Sequence, residues 1–236
     1  MRKNIVLIGE IASGKTTIAN KLKELYGYNV YSFATELKSI FQLIYKRPVD
    51  KSIDREKMQY LGQIIKKRFK EHTVEDKQQF LFYLQSQDFY DYFMKHCNDF
   101  FHESFFTNKL SLNYKFHIDQ LNNNVTLDDM RFKVEQKDIF SYGKSFKNNV
   151  YFAYLDVDKT LRYERILKRD YKNSNKSLSD IEQEIMIYLE HSSEKEIQNL
   201  HYDRKYKIDF DTDLHQIAVQ IYLDAMCFER NNYSKF

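Results

Sequence analysis

Residues 9–17 read Gly-Glu-Ile-Ala-Ser-Gly-Lys-Thr-Thr, and this stretch decides the fold because it fits the phosphate-binding pattern G-x-x-x-x-G-K-[ST]. An apolar run from Asn4 to Ile8 precedes it and predicts a strand. The pattern that follows, up to Tyr26, predicts a helix that ends at Gly27. Glycine lets backbone N–H groups turn inward around a phosphate chain, and the helix N-terminus adds a positive dipole. The loop therefore predicts binding of a nucleoside triphosphate.

The contacts within this loop follow from the residue types. Lys15 is expected at the β- and γ-phosphates, where it takes part in catalysis, and the Thr16 hydroxyl is expected to coordinate Mg²⁺. The predicted cofactors are therefore ATP and Mg²⁺. The predicted ATP contacts are Gly9, Ala12, Ser13, Gly14, Lys15, Thr16 and Thr17.

Length and composition narrow the class of protein. A chain of 236 residues suits one α/β domain that spans residues 1–236 and carries insertions. The net charge of +3 does not suggest a nucleic-acid partner. Cys97 and Cys227 form no metal or redox motif, which favours a reducing cytosol. The first apolar run is too short for a signal peptide, and no stretch is long and apolar enough for a membrane span, so we expect a cytoplasmic protein.

Strands and helices alternate along the chain and predict a parallel sheet of about five strands in a three-layer α/β/α fold, with ligands at the carboxyl ends of the strands. A long helical block predicts an acceptor-binding insertion over about residues 36–115, and a polar loop predicts a short lid over about residues 162–182. The predicted strands are 4–8, 28–33, 123–127, 150–155 and 207–210, and the later helices are 159–170, 180–190 and 214–228.

A carboxylate pair and an arginine follow the third predicted strand. Asp128 and Asp129 resemble a site that holds Mg²⁺ directly or through water, and Asp129 is the preferred residue. Arg131 is predicted to enter the cleft and grip an acceptor phosphate with two parallel hydrogen bonds. The alternative is that the two aspartates cap the next helix while Arg131 forms a surface ion pair.

Three arginines share one face of the helix that precedes the polar loop. Arg162, Arg165 and Arg169 lie three and four residues apart. Phosphoryl transfer depends on positioning and on neutralising charge, so arginines on a closing lid are candidate catalytic residues. The alternative is a solvated helix face with ion pairs to Glu164 or Asp170.

On the basis of these residues, the chain resembles the phage-type deoxynucleoside monophosphate kinases, a branch of the P-loop nucleoside monophosphate kinases. Four further segments carry the resemblance in the family's order, and with the loop they span residues 1 to about 225. The segments are Tyr31 to Lys38 (Ser-Phe-Ala, then Leu-Lys), Arg55 to Gly62 (Arg-x-x-Leu-Gln-x-Leu-Gly), Asp129 to Glu135 (Asp-Val-Arg-Phe-x-Asn-Glu) and His191 to Glu194 (His-x-Ser-Glu). No chemistry follows from the last segment.

The resemblance implies transfer of the ATP γ-phosphoryl group to a deoxynucleoside monophosphate, giving a deoxynucleoside diphosphate and ADP. It places Arg131, with Asp129, at the substrate. The chain departs from the family at Val134, where asparagine is usual, and in having no Trp in the insertion. The other implied acceptor residues are Phe33, Ala34, Lys38, Arg55 and Gln59.

Other functions remain open from the sequence. A kinase for a nucleoside or a metabolite alcohol would need a base, for which Asp128 or Glu36 is available. A polynucleotide 5′-end kinase should be more basic. A P-loop switch or ATPase would release only phosphate, and the Asn-Lys-x-Asp element of a GTPase is not present. We expect a deoxynucleoside monophosphate as substrate, no nucleic acid or membrane partner, and the cytoplasm of the host cell if a phage encodes the chain. A homodimer is one oligomeric state that the sequence leaves open.

Overall fold

The computed structural model describes residues 3–32, 38, 41–42, 45–50, 54, 57–58, 124–131, 133–141, 149–172, 176–190 and 192–228. The chain divides into two compact units. The first comprises Met1–Ser32 and Leu112–Phe236, and the second comprises Phe33–Ser111.

The first unit is built around a parallel sheet. Its described elements are β1 (Asn4–Ile8), α1 (Lys15–Tyr26), β2 (Asn29–Tyr31), β3 (Val125–Met130), α2 (Lys133–Ser141), β4 (Val150–Val157), α3 (Lys159–Asp170), α4 (Leu178–Leu189), α5 (Ser192–Ile197), β5 (Arg204–Ile208) and α6 (Leu214–Cys227). The five strands lie in the order β2-β3-β1-β4-β5, and every neighbouring pair is parallel. The predicted three-layer α/β/α fold with a sheet of about five strands is confirmed.

Both faces of the sheet are buried, which explains the continuous apolar runs of β1 and β4. On one face, Ile5 and Leu7 of β1 pack against α1 and α6 in a single apolar cluster. On the other face, Val6, Ile8 and Phe152 are also fully buried. Because β1 lies between β3 and β4, the loop that follows it opens at the centre of the sheet edge formed by the strands' carboxyl ends.

Four of the five strands differ from their predicted bounds. β2 spans Asn29–Tyr31 instead of 28–33, and β4 continues to Val157 instead of ending at residue 155. β3 does not end at residue 127 but continues through Asp128 and Asp129 to Met130. It is an internal strand that pairs with β1 and β2, and its register with β1 shifts between Leu127 and Met130, where the two aspartates lie. β5 spans Arg204–Ile208 instead of 207–210, and its first two residues are charged and exposed, so hydrophobicity alone did not mark its start.

The second unit is described at few positions. Asp54 is fully buried, and the Arg47 guanidinium donates to both of its carboxylate oxygens at 2.5 and 2.7 Å. The Asp50 N–H donates to the same carboxylate at 2.9 Å. The role of this region as an acceptor-binding insertion stays a prediction. Across the parts of both units that the structure describes, no helix has the length and apolar character to cross a membrane.

Candidate functional site

The loop between β1 and α1 adopts a tight path that requires its glycines. A Cβ on Gly9 would lie 2.6 Å from Ser13 Oγ and 3.1 Å from the Leu155 carbonyl oxygen. Gly14 precedes α1 with a φ of 92°, in the region that side chains with a Cβ rarely adopt. Ala12 also has a positive φ of 60°. The sequence pattern therefore forms the compact turn that it predicts.

Lys15 lies inside this loop. Its ammonium group donates to the carbonyl oxygens of Gly9 at 2.5 Å and Glu10 at 2.9 Å, and to Ser13 Oγ at 3.2 Å. Burial lowers the pKa of Lys15 to about 8; the neighbouring Arg131 lowers it too, while Glu194 and the two aspartates of β3 raise it. A phosphate chain in the loop would restore a full counter-charge to this ammonium group.

The aspartates of β3 have different partners. The Thr16 hydroxyl donates to Asp128 Oδ2 at 3.0 Å, and the Ser32 hydroxyl donates to Asp129 Oδ2 at 2.6 Å. The register between β3 and β1 shifts at these two residues, and Asp128 is the one whose carboxylate bonds to Thr16. The structure thus brings Asp128, and not the preferred Asp129, to Thr16, and the role of Asp129 at the metal stays a prediction.

The pair of Thr16 and Asp128 fits Mg²⁺, because a hydroxyl and a carboxylate at the start of α1 are hard oxygen ligands. Within the described parts of the chain, no group of three or more His, Cys, Asp or Glu residues is arranged to hold a metal. Mg²⁺ in sites of this kind is usually held by one or two protein groups, with the remaining ligands supplied by phosphates and water. The residues present therefore suit a metal that arrives with a nucleotide.

Arg131 follows β3 and does not form the exposed ion pair of the alternative interpretation. Its Nη1 donates to Glu194 Oε1 at 2.8 Å, and the Glu194 side chain is only 3% exposed. The Arg131 backbone N–H donates to Glu135 Oε2 at 2.8 Å, so Glu135, not Asp128 or Asp129, accepts from the backbone where α2 begins. The other oxygen of Glu194 accepts a hydrogen bond from the Ile11 N–H at 2.5 Å.

The three arginines of α3 are placed differently. Arg162 forms a buried ion pair with Glu10, with Nη2 at 2.7 Å from Oε2. Arg165 donates from Nη1 to the Ala12 carbonyl oxygen at 3.2 Å, and burial lowers the pKa of its guanidinium. Arg169 instead donates twice to Asp170, at 2.6 and 2.8 Å. The structure thus brings Arg162 and Arg165 to the loop, whereas Arg169 makes the ion pair that the alternative interpretation named.

Apolar side chains from α3 and α4 cover the tip of the loop. Ile11 is 8% exposed and packs in a cluster with Ile166 of α3 and with Ile181 and Ile185 of α4. Tyr171, at the end of α3, joins the same cluster and donates its hydroxyl to Glu184 of α4 at 2.8 Å. The segment predicted as a lid therefore contacts the phosphate-binding loop directly.

Several predicted residues cannot be placed. Phe33, Ala34, Arg55 and Gln59 lie outside the described residues. Lys38 is helical and exposed in the second unit. Their assignment to an acceptor pocket stays a prediction.

A family model described as "AAA domain" matches residues 5–187. This range begins at the second residue of β1, includes the phosphate-binding loop, and ends two residues before the end of α4. This chain belongs to the AAA domain family. No curated protein sequence matches this AAA domain.

Solved structures similar to this AAA domain include three kinases. Shikimate kinase from Acinetobacter baumannii in complex with shikimate is 16% identical, with 96% of this chain and 94% of that chain covered and a TM-score of 0.47. Dephospho-CoA kinase from Campylobacter jejuni is 16% identical, with 95% and 97% covered and a TM-score of 0.44. A gluconokinase from Sinorhizobium meliloti 1021 is 11% identical, with 96% and 94% covered and a TM-score of 0.41. Likenesses of this size carry no functional inference, so the function is inferred below from the residues.

Three site residues escaped the sequence interpretation. Asp129 was preferred to Asp128, because the sequence does not show which of two adjacent aspartates contacts Thr16. Glu10 occupies a variable position of the loop pattern and gave no signal. Glu194 ends the segment 191–194, which resembles the family but suggested no chemistry. Only its hydrogen bonds to Ile11 and Arg131 show that it lies at the site.

Proposed function

We propose that the protein is a phosphotransferase that moves the γ-phosphoryl group of ATP to a deoxynucleoside monophosphate. The observation that carries the transfer is the gathering of three cations at one phosphate-binding loop. Lys15 donates to the loop's own carbonyl oxygens, Arg165 donates to Ala12, and Arg131 is joined to Ile11 through Glu194. Phosphoryl transfer needs this concentration of positive charge around the transferring group.

The donor side of the site uses the loop and the start of α1. The backbone N–H groups and Lys15 bind the triphosphate, and Thr16 with Asp128 holds Mg²⁺. When bound, Mg²⁺ neutralises charge on the β- and γ-phosphates. Arg165 is placed to stabilise the transferring group, and the apolar cluster around Ile11 keeps water from that side of the loop.

The acceptor side uses Arg131. Its side chain is 31% exposed, so the guanidinium keeps an open side for a phosphate while one nitrogen is bound to Glu194. An oxygen of the acceptor phosphate attacks the γ-phosphorus, the bond to the β–γ bridging oxygen breaks, and ADP leaves. The acceptor phosphate is ionised at neutral pH, so no general base is required.

The sequence segments that resemble deoxynucleoside monophosphate kinases support the choice of acceptor. The resemblance includes Arg131 and Glu194, which the structure joins, and this juxtaposition strengthens the case for a phosphate-bearing acceptor. A nucleoside or sugar kinase would instead need a base beside the acceptor hydroxyl.

A coupled ADP-release assay with each deoxynucleoside monophosphate tests the proposal, and ³¹P NMR identifies the product. We expect a deoxynucleoside diphosphate, loss of activity in Lys15→Met, and a raised acceptor KM in Arg131→Met. Lys159→Met, which removes one member of an exposed pair with Glu190, is the matched control. Release of free phosphate with every acceptor would identify an ATPase, and phosphorylation of a nucleoside or sugar alone would identify a different kinase; either result overturns the proposal.

A further inference from the structure

One buried carboxylate joins the phosphate-binding loop to the arginine of the acceptor side. Glu194 Oε2 accepts from the Ile11 N–H at 2.5 Å, and Glu194 Oε1 accepts from Arg131 Nη1 at 2.8 Å. The carboxylate is 3% exposed, so water cannot readily substitute for either partner. Glu194 lies on α5, more than sixty residues from Arg131 along the chain, and only the tertiary structure brings the two together.

We propose that Glu194 is a positioning residue, which fixes the Arg131 guanidinium at a set distance from the phosphate-binding loop. This inference rests on the proposed function, in which Arg131 binds the acceptor phosphate. Transfer requires donor and acceptor phosphates at a defined separation, and small errors in that separation cost rate. Arginine has a long, flexible stem, so a second group is needed to hold its planar head.

Residues on and just after α5 make two further hydrogen bonds, one to the start of α2 and one to the phosphate-binding loop. Glu196 accepts from the Lys133 N–H at 3.1 Å, at the start of α2. Gln198, just after α5, donates to Glu10 Oε1 at 3.1 Å. Of these residues, Glu194 is the one that pairs with Arg131 and also raises the pKa of Lys15. Its negative charge therefore offsets the effect of Arg131, which lowers the pKa of Lys15.

Two substitutions of Glu194 distinguish the loss of its charge from the loss of its whole side-chain contact. Glu194→Gln keeps an oxygen for the Ile11 N–H but removes the charge that binds Arg131. Glu194→Ala removes both contacts. Glu196→Ala, on the same short helix, is the matched control because it removes a different backbone contact.

Steady-state kinetics provide the first test. We expect the acceptor KM to rise at least about tenfold in Glu194→Gln and further in Glu194→Ala. In Glu194→Gln the ATP KM should change less than about threefold, because this variant keeps an oxygen for the Ile11 N–H and the lost interaction acts through Arg131. In an Arg131→Met background, Glu194→Gln should cause no further rise. Equal effects on both substrates, or a fully additive effect in the double variant, would show that Glu194 is merely structural. Glu194→Gln carries the test if the alanine variant does not fold.

Backbone NMR of the full chain provides a second readout that does not need activity. The Ile11 amide proton should be shifted downfield and protected from exchange in the wild type. It should move upfield in Glu194→Gln, lose protection in Glu194→Ala, and stay unchanged in Glu196→Ala. An Ile11 signal that is the same in the wild type and in both Glu194 variants would refute the hydrogen bond between Ile11 and Glu194. A responsive Ile11 signal in a chain that phosphorylates no nucleotide would leave the link in place but refute the proposed function, and with it the positioning role.

Discussion

Arg162 Nη2 lies 2.7 Å from Glu10 Oε2, and this ion pair fastens α3 to the phosphate-binding loop. The two side chains are only 7% and 15% exposed. Among the residues that the structure describes, Arg162 Nε and Nη1 have no hydrogen-bond partner and are buried. Arg162 is therefore a buried, ion-paired group in this structure, so its substitution should affect stability as well as rate.

Replacing Arg162 should destabilise the protein, because Arg162→Met leaves Glu10 as a buried charge without its ion-pair partner. Breaking a buried pair from one side typically costs about 3–5 kcal/mol. Urea denaturation should show this loss, and the double variant Glu10→Gln/Arg162→Met should recover part of it. The exposed pair of Lys159 and Glu190 is the control, and Lys159→Met should cost less than about 1 kcal/mol. A single variant as stable as the wild type would contradict the buried pair.

Nucleotide affinity should depend on the ionisation of Lys15. Burial lowers its pKa to about 8, so the ligand-free loop loses its positive charge as the pH rises through that value. Because triphosphate binds the protonated form, we expect proton uptake on binding near pH 8, and ATP affinity that falls by up to about tenfold per pH unit above it. Calorimetry in buffers of different ionisation enthalpy measures both effects.

The sign of the accompanying stability change is fixed by the same shift. The unfolded chain binds the Lys15 proton more tightly, with the ordinary value of 10.5, than the folded chain does. This contribution therefore makes the ligand-free protein more stable as the pH rises from about 8 to 10.5. The variant Lys15→Met is the control for the ATP-binding prediction above. In this variant, the fall of ATP affinity with rising pH above about 8 should be absent. If it persists, another group is responsible.

Asp128 and Asp129 should differ in their effect on magnesium. Asp128→Asn replaces the carboxylate beside Thr16 with a neutral amide, so the Mg²⁺ concentration for half-maximal activity should rise at least about tenfold. Asp129→Asn alters the contact with Ser32 and should change the value less than about threefold. Titration of activity with Mg²⁺ at fixed ATP measures this, and the reverse order of effects would restore Asp129 as the metal residue.

Gly9 should not tolerate a side chain, because an added Cβ meets the Leu155 backbone oxygen at 3.1 Å as well as Ser13. The Leu155 backbone cannot easily move away from the added Cβ, so Gly9→Ala should displace the loop and weaken ATP binding at least about tenfold. Gly27→Ala is the matched control, since no atom lies within 4 Å of its added Cβ. Its φ of 72° should cost about 1 kcal/mol of stability without changing ATP affinity. Equal ATP affinity in both variants would contradict the steric account.

The sequence predicted the fold well where pattern and packing agree. β1 and α3 match their expected bounds, because a run of apolar residues and a helical periodicity are local signals. β3 was predicted too short, since the strand continues to Met130, which pairs with Ile8 of β1, and β1 is distant in sequence. The same error placed both aspartates beyond the strand and left open which of them contacts Thr16.

The arginines of α3 show a second limit of sequence patterns. Spacing predicted that Arg162, Arg165 and Arg169 share a helix face, but spacing does not reveal which carboxylate or carbonyl lies opposite each of them. The structure assigns the first to Glu10, the second to Ala12 and the third to Asp170. The partner decides whether each guanidinium is a structural, a binding or a surface group.

The sequence by itself determined that a phosphate-binding loop joins a buried strand to a helix, because glycine conformation and lysine chemistry are properties of a short stretch. It also determined the parallel α/β architecture, through the alternation of apolar runs. Only the tertiary structure decided which side chains serve the loop. Asp128 at Thr16 and Glu194 between Ile11 and Arg131 are contacts between distant segments, and their geometry depends on how strands and helices pack.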